Sequence, residues 1–132
     1  MVRITVNTAK LLEKKKGEKE AELEERFALE MQKGLVTSLG HKIKCATEDL
    51  GAWNLGQVEA DSSGVVTIVR LYDGTLLRNI TKSYYDIMHG EQIAHVQKWW
   101  THKVLLQEMA KEASTLQDLE SIDWDTTEIT SW

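Results

Sequence analysis

A chain of 132 residues with 42% apolar residues and a net charge of −5 is long enough for one domain of ordinary size and too apolar for a disordered segment. Its single cysteine, Cys45, excludes an intramolecular disulfide and a Cys-rich zinc site, and the weak net charge provides no global field for nucleic acid or an anionic membrane. No run approaches the ~18 apolar residues of a membrane-spanning helix, and residues 1–10 lack a signal-peptide core, so synthesis in a reducing cytosol is expected.

Proline is absent, which suits long uninterrupted helices. Val2 to Val6 (VRITV) alternates apolar and polar residues and predicts a short strand, with Asn7 and Thr8 as helix-start residues after it. Lys10 to Arg26 is dense in both charge signs and reads as a solvated, ion-paired helix with a break at Gly17. On its continuation Leu23, Phe27, Met31 and Leu35 recur every four residues, a thin apolar stripe that needs a partner helix from this chain or a neighbouring subunit.

Gly34 and Gly40 bracket an extended LVTSL, and His41, Ile43 and Cys45 alternate with Lys42 and Lys44 as in a lysine-protected edge strand. Thr47 or Asp49 caps a short helix carrying Leu50, Trp53, Leu55 and Val58, followed by a turn at Asp61 to Gly64. Val65 to Tyr72 is the strongest strand by β-branched content, Asp73-Gly74 signals a two-residue hairpin, and Thr75 to Ile80 is the return strand. Thr81 or Ser83 opens a long helix whose apolar face is predicted as Tyr84, Met88, His95, Trp99, Leu106, Met109 and Ala113, widened by Ile87, Ala94, Leu105 and Ala110, with a bend at Gly90. Ser114-Thr115 recaps a last turn through Leu116, Leu119 and Ile122. From Glu112 to Trp132 there are six acids and neither Lys nor Arg, which reads as a solvated acidic end.

No catalytic constellation accompanies these elements. His95 and His102 lie two helical turns, about 10–11 Å, apart, too far to share a metal ion. His89 and His95 fall on different helix faces, and His41 and Cys45 on one strand would stand about 13 Å apart. Neither a nucleophile elbow nor a Gly-rich phosphate loop is present. The expectation is a non-enzyme with no metal and no cofactor. HVQKWWTHK, which interleaves aromatics with Lys98 and Lys103, is the one segment that suggests a nucleic-acid stacking platform.

Five features together, the extended GHKIKCATED, the helix LGAWNLGQVEA, the hairpin around Asp73-Gly74, the Thr-capped helix containing Ala94-His95-Val96-Gln97, and the closing TLQDLESIDW, resemble an uncharacterised domain family found in or beside tail-fibre and baseplate proteins of tailed bacteriophages. The resemblance spans residues 37–124. It implies a structural role in the phage tail after synthesis in the host cytoplasm, tail-fibre or baseplate proteins as partners, and no catalytic residues. The expected architecture is α+β, a small β-hairpin or sheet packed on a long C-terminal helix. Residues 1–36 would form a strand and charged helical arm, 37–124 the domain and 125–132 an acidic tail. Binding without nucleic acid or membrane is expected through Leu23, Phe27, Met31, Leu35, Trp99, Trp100 and Trp132, in a homo-oligomer such as a trimer or in a hetero-complex. Two rival readings are an assembly chaperone for the tail fibre that is absent from the virion and a small nucleic-acid-binding regulator using HVQKWWTHK.

Overall fold

The computed structural model describes residues 2–127, with side chains from residue 8 onward. The architecture is α+β. In chain order it runs α1 (Val2–Gln32), β1 (Leu35–Val36), β2 (Lys42–Ile43), α2 (Thr47–Ser63), β3 (Val65–Arg70), β4 (Leu76–Thr81), α3 (Lys82–Glu112) and α4 (Leu116–Glu120). The strands form two separate antiparallel pairs, β1 with β2 and β3 with β4. By contacts the chain divides into two compact units, Met1–Phe27 with Trp99–Trp132, and Ala28–Lys98.

The first unit is helical. Leu23, Leu106, Ala110, Ala113, Leu119, Ile122 and Trp124 make its buried core, with Leu12, Phe27 and Trp99 packed against it. Thr115 caps α4 by accepting the Asp118 amide, an orphan donor that would otherwise be left at the helix start. At the end of α3 the Lys16 ammonium donates to the Lys111 carbonyl at 2.8 Å, satisfying one of the last-turn acceptors.

The strand expected at residues 2–6 is a correction. Those residues open α1, which continues without interruption through Gly17. A strand needs a neighbour for its backbone groups, and the described strands pair only within their own hairpins; a helix satisfies its groups internally.

The second unit holds both hairpins and α2. Gly64 ends α2 in the left-handed region at φ 78°, its amide bonded to the Ala60 carbonyl, so the expected turn at Asp61 to Gly64 is a glycine helix stop. The expected two-residue hairpin turn is longer. The Leu71 amide bonds the Thr75 carbonyl and the Gly74 amide bonds the Leu71 carbonyl, leaving Tyr72, Asp73 and Gly74 as a three-residue loop with Gly74 at φ 89°. This is the glycine-bulge alternative to the two-residue turn.

The β3–β4 ladder pairs Val65 with Thr81 and Val66 with Ile80, then resumes at Ile68 with Arg78, so Thr67 and Asn79 are passed over. At this gap Asn79 adopts φ 53°. The Glu59 carboxylate of α2 takes both the Thr67 amide (3.2 Å) and the Thr67 hydroxyl (2.7 Å). The buried positions of β3 are Val66 and Val69, three apart, while Ile68 is exposed; the strand changes face at the gap although the register is the same on both sides of it.

On α3 the buried face also differs from the expected one. Within the second unit it consists of Tyr85, Met88, His89 and Gln92, and within the first of Lys103, Leu106 and Ala110, with Ala113 buried just past the helix end, while Ile87, Ala94 and Met109 are exposed. Each buried polar side chain has a partner inside the fold, although Gln92 Oε1 has none among the described residues. His89 Nδ1 lies 2.7 Å from Gln57 Oε1, the Gln92 amide donates to the Lys44 carbonyl at 2.8 Å, and Lys103 pairs with Glu24 at 3.1 Å. Burial is tolerated when the polar group is bonded. The helix continues through Gly90 without a break.

Candidate functional site

The residues proposed for an interface occupy different environments. Leu23 and Met31 are buried, the first in the core of its unit and the second among the buried residues of the other. Phe27, Leu35 and Trp99 are half-buried. Trp100 is 51% exposed, and Trp132 lies outside the described residues. Leu23, Phe27 and Trp99 gather around one core, whereas Met31 and Leu35 belong to the other unit.

Most of the basic-aromatic segment is engaged internally. Trp99 stacks on Trp124 with centroids 5.7 Å apart and 16° between planes. His102 meets Trp124 edge-on at 4.7 Å, and its Nε2 lies 2.8 Å from the Trp124 carbonyl. A carbonyl only accepts, so that nitrogen carries the hydrogen. The Lys103 ammonium sits 4.7 Å above the Phe27 ring and pairs with Glu24, and that pairing holds the Glu24 carboxyl below its ordinary range. One face of the Trp99 ring is thus already taken by Trp124.

Beside α2 lies a polar cluster. Gln57 Nε2 donates to Asp61 (3.0 Å) and Asp86 (2.8 Å), and the Lys82 ammonium lies 2.9 Å from each of those carboxylates. Hydrogen bonds from Lys82 first, then Gln57, hold both carboxyls below their usual range, and the hydrogen bonds to Asp86 and Asp61 raise Lys82. Behind Gln57, His89 is packed among Trp53 at 6.1 Å and Tyr85 at 5.7 Å. Its burial lowers its basicity against the pull of Asp86 and Asp61. With Gln57 accepting at Nδ1 and burial favouring the neutral ring, the cluster is an electrostatic brace between α2 and the start of α3.

Cys45 is buried, and loss of solvation, helped by the charge of Asp49, pushes its thiol up to about 11. It is a thiol at neutral pH and a poor nucleophile. Among the described residues no three of His, Cys, Asp and Glu are placed to hold a metal ion, and no described helix is long and apolar enough to cross a membrane.

Two features of the second unit were not legible in the sequence. The first is the outward face of α2, where Leu55 is 72% and Val58 65% exposed. These residues are three apart and so neighbours on one face. The inward face carries Trp53 and Ala60 as its buried residues, with Ala52 and Gly56 turned towards a cleft, so apolar bulk points out where an ordinary amphipathic helix points it in. The second feature is that cleft, of about 350 Å³, lined by Lys44, Asp49, Ala52, Trp53, Gly56, Val66, Ile68, Val69, Arg70 and Tyr85. Tyr85 stacks on Trp53 at 5.1 Å and donates its hydroxyl to the Trp53 carbonyl. A methyl group on Gly56 would run into that hydroxyl.

No family model, no curated protein and no solved structure matches this chain.

Proposed function

We propose that this chain is a structural, protein-binding component of a tailed bacteriophage, located in the tail-fibre or baseplate region, and that it acts by association rather than catalysis. The observation that carries the reading is the outward face of α2, where Leu55 and Val58 hold large apolar side chains in water on neighbouring positions. Exposed apolar side chains set among polar neighbours are a feature of association surfaces. The resemblance of residues 37–124 to a tail-associated domain family supplies the partner, a tail-fibre or baseplate protein. Internal pairing of His102, Lys103, His89 and Lys82 fits the same reading, because these groups brace the fold.

The test is mass spectrometry of purified particles from a host culture producing the protein, run beside the Leu55→Glu, Val58→Glu variant. The wild-type chain is expected at a stoichiometry near that of the fibre or baseplate proteins. The variant, folded by circular dichroism because both positions are exposed, is expected to be absent. Absence of the wild-type chain from particles overturns the virion role. Normal incorporation of the variant overturns the assignment of this face.

A further inference from the structure

We propose that the outward face of α2 is a docking seam for a basic amphipathic helix of a partner protein, an inference that rests on the reading of this face as the association surface and names what it takes. Gly51, Leu55, Val58 and Ser62 follow one another along α2 at spacings of four, three and four residues. That is the rhythm by which one helix presents a seam to another, and it runs for about 16 Å, or three turns. All four residues are exposed, and Leu55 and Val58 supply the apolar bulk. Gly51 has nothing within 4 Å of the point where a side chain would begin, so a neighbouring backbone can approach closely there. The Ser62 hydroxyl donates back to the Glu59 carbonyl at 3.2 Å, which leaves the far end of the seam with its polar group already engaged.

Charge selects the partner. α2 carries Glu48, Asp49, Glu59 and Asp61 and neither Lys nor Arg. Three of these acids border the seam at the spacing that makes side chains neighbours on a helix. Glu48 lies three residues before Gly51, Glu59 four after Leu55, and Asp61 three after Val58. Asp61 shares Lys82 with Asp86, at 2.9 Å to each, so that trio keeps one negative charge. The Glu59 carboxylate meets hydrogen-bond donors of Thr67 rather than a cation, and Glu48 is exposed with no ion pair among the described residues. Lys44 and Arg70 gather with Asp49, Ala52 and Trp53 around the cleft, on a different side of α2 from the seam. Lys or Arg flanking the apolar stripe of an incoming helix would meet the bordering acids. A second copy of α2 would instead set acid against acid.

The test titrates the full chain into two fluorescein-labelled peptides of three heptads each and reads anisotropy. Both carry Leu at the a and d positions; one has Lys at e and g, the other Glu, and like charges there keep each peptide from pairing with itself. The Lys peptide should bind more tightly than its Glu twin by roughly tenfold at low salt, the combined effect of three part-exposed charge contacts. The Leu55→Glu, Val58→Glu variant should weaken the Lys peptide by roughly tenfold. That variant adds two negative charges, so attraction by net charge alone would tighten binding instead. Glu48→Lys should weaken the Lys peptide and tighten the Glu twin by roughly twofold each. All three positions are exposed, and circular dichroism checks that the variants stay folded. Equal affinity of the two peptides, or undiminished binding of the Lys peptide by the Leu55→Glu, Val58→Glu variant, overturns the proposal. So does a two-chain molar mass in light scattering that falls to one chain in that variant, because it gives the seam to a second copy. Peptide selectivity with the chain missing from purified particles removes the phage-tail role alone. Particle incorporation that depends on Leu55 and Val58, without peptide selectivity, removes the basic helix alone.

Discussion

Two glycines of the same helix, Gly51 and Gly56, should respond to the same substitution with opposite sign. In a helix interior alanine is favoured over glycine by about 0.8–1 kcal/mol, through backbone entropy. At Gly51 the added methyl meets nothing within 4 Å, so Gly51→Ala should stabilise by about 0.5–1 kcal/mol. At Gly56 the methyl would overlap the Tyr85 hydroxyl and lie 2.8 Å from Cζ and 3.2 Å from Cε2 of that ring. Relief requires Tyr85 to move, yet it is 1% exposed, stacked on Trp53 at 5.1 Å and hydrogen-bonded to the Trp53 carbonyl. Overpacking of this kind costs about 1–3 kcal/mol, and a pinned aromatic places the cost in the upper half of that range. The net effect of Gly56→Ala is then a loss of about 1–2 kcal/mol, so the two variants should differ by about 1.5–3 kcal/mol. Urea unfolding followed by circular dichroism measures the difference, and thermal midpoints should separate by several degrees. A second cycle localises the clash. Tyr85→Phe removes the hydroxyl, so combining it with Gly56→Ala should cost less than the sum of the single changes. Equal stability of Gly51→Ala and Gly56→Ala, or strict additivity with Tyr85→Phe, would refute the close approach of α2 and α3.

Three further outcomes are expected. His89 and His95 both have basicity lowered by burial below the ordinary 6.5; the unfolded chain therefore binds their protons more tightly, and stability should be fully present above about pH 6.5 and fall as pH drops through the lowered values. Urea midpoints at pH 7.5 and 5.5 check this, and a flat profile contradicts it. Asn79 holds φ 53°, so Asn79→Ala should destabilise by about 1 kcal/mol and Asn79→Gly should not, measured by thermal unfolding. Thr115→Ala removes the side-chain acceptor for the Asp118 amide and should cost about 1 kcal/mol, with Thr115→Ser restoring most of it.

The long helices, the β3–β4 hairpin and the Thr115 cap were legible because each rests on a local signal, respectively the absence of proline, a β-branched run before Asp73-Gly74, and a hydroxyl ahead of an acid. The face of α3 was misread for a physical reason. A hydropathy pattern assigns His89, Gln92 and Lys103 to solvent, whereas each is buried and finds a partner on another element. Ile87 and Met109 were assigned inward on the same logic and are exposed. The cleft was illegible because its lining comes from α2, β3, α3 and the segment after β2, which only the fold brings together. Lys44 was read as edge-strand protection; only the fold brings it beside Arg70, which is distant in sequence.

The face change in β3 also guards the hairpin against mispairing. A slip of one residue would bring Arg78 or Ile80 to the left-handed position now held by Asn79. For Ile80 in particular, β-branching makes that backbone conformation a steric outlier. Two-stranded ribbons otherwise specify their alignment weakly, and strands with exposed apolar residues such as Val65, Ile68 and Leu76 are prone to recruit a foreign edge. Asn79 thus opposes a one-residue slip of β4 against β3 and favours the single alignment of the folded hairpin.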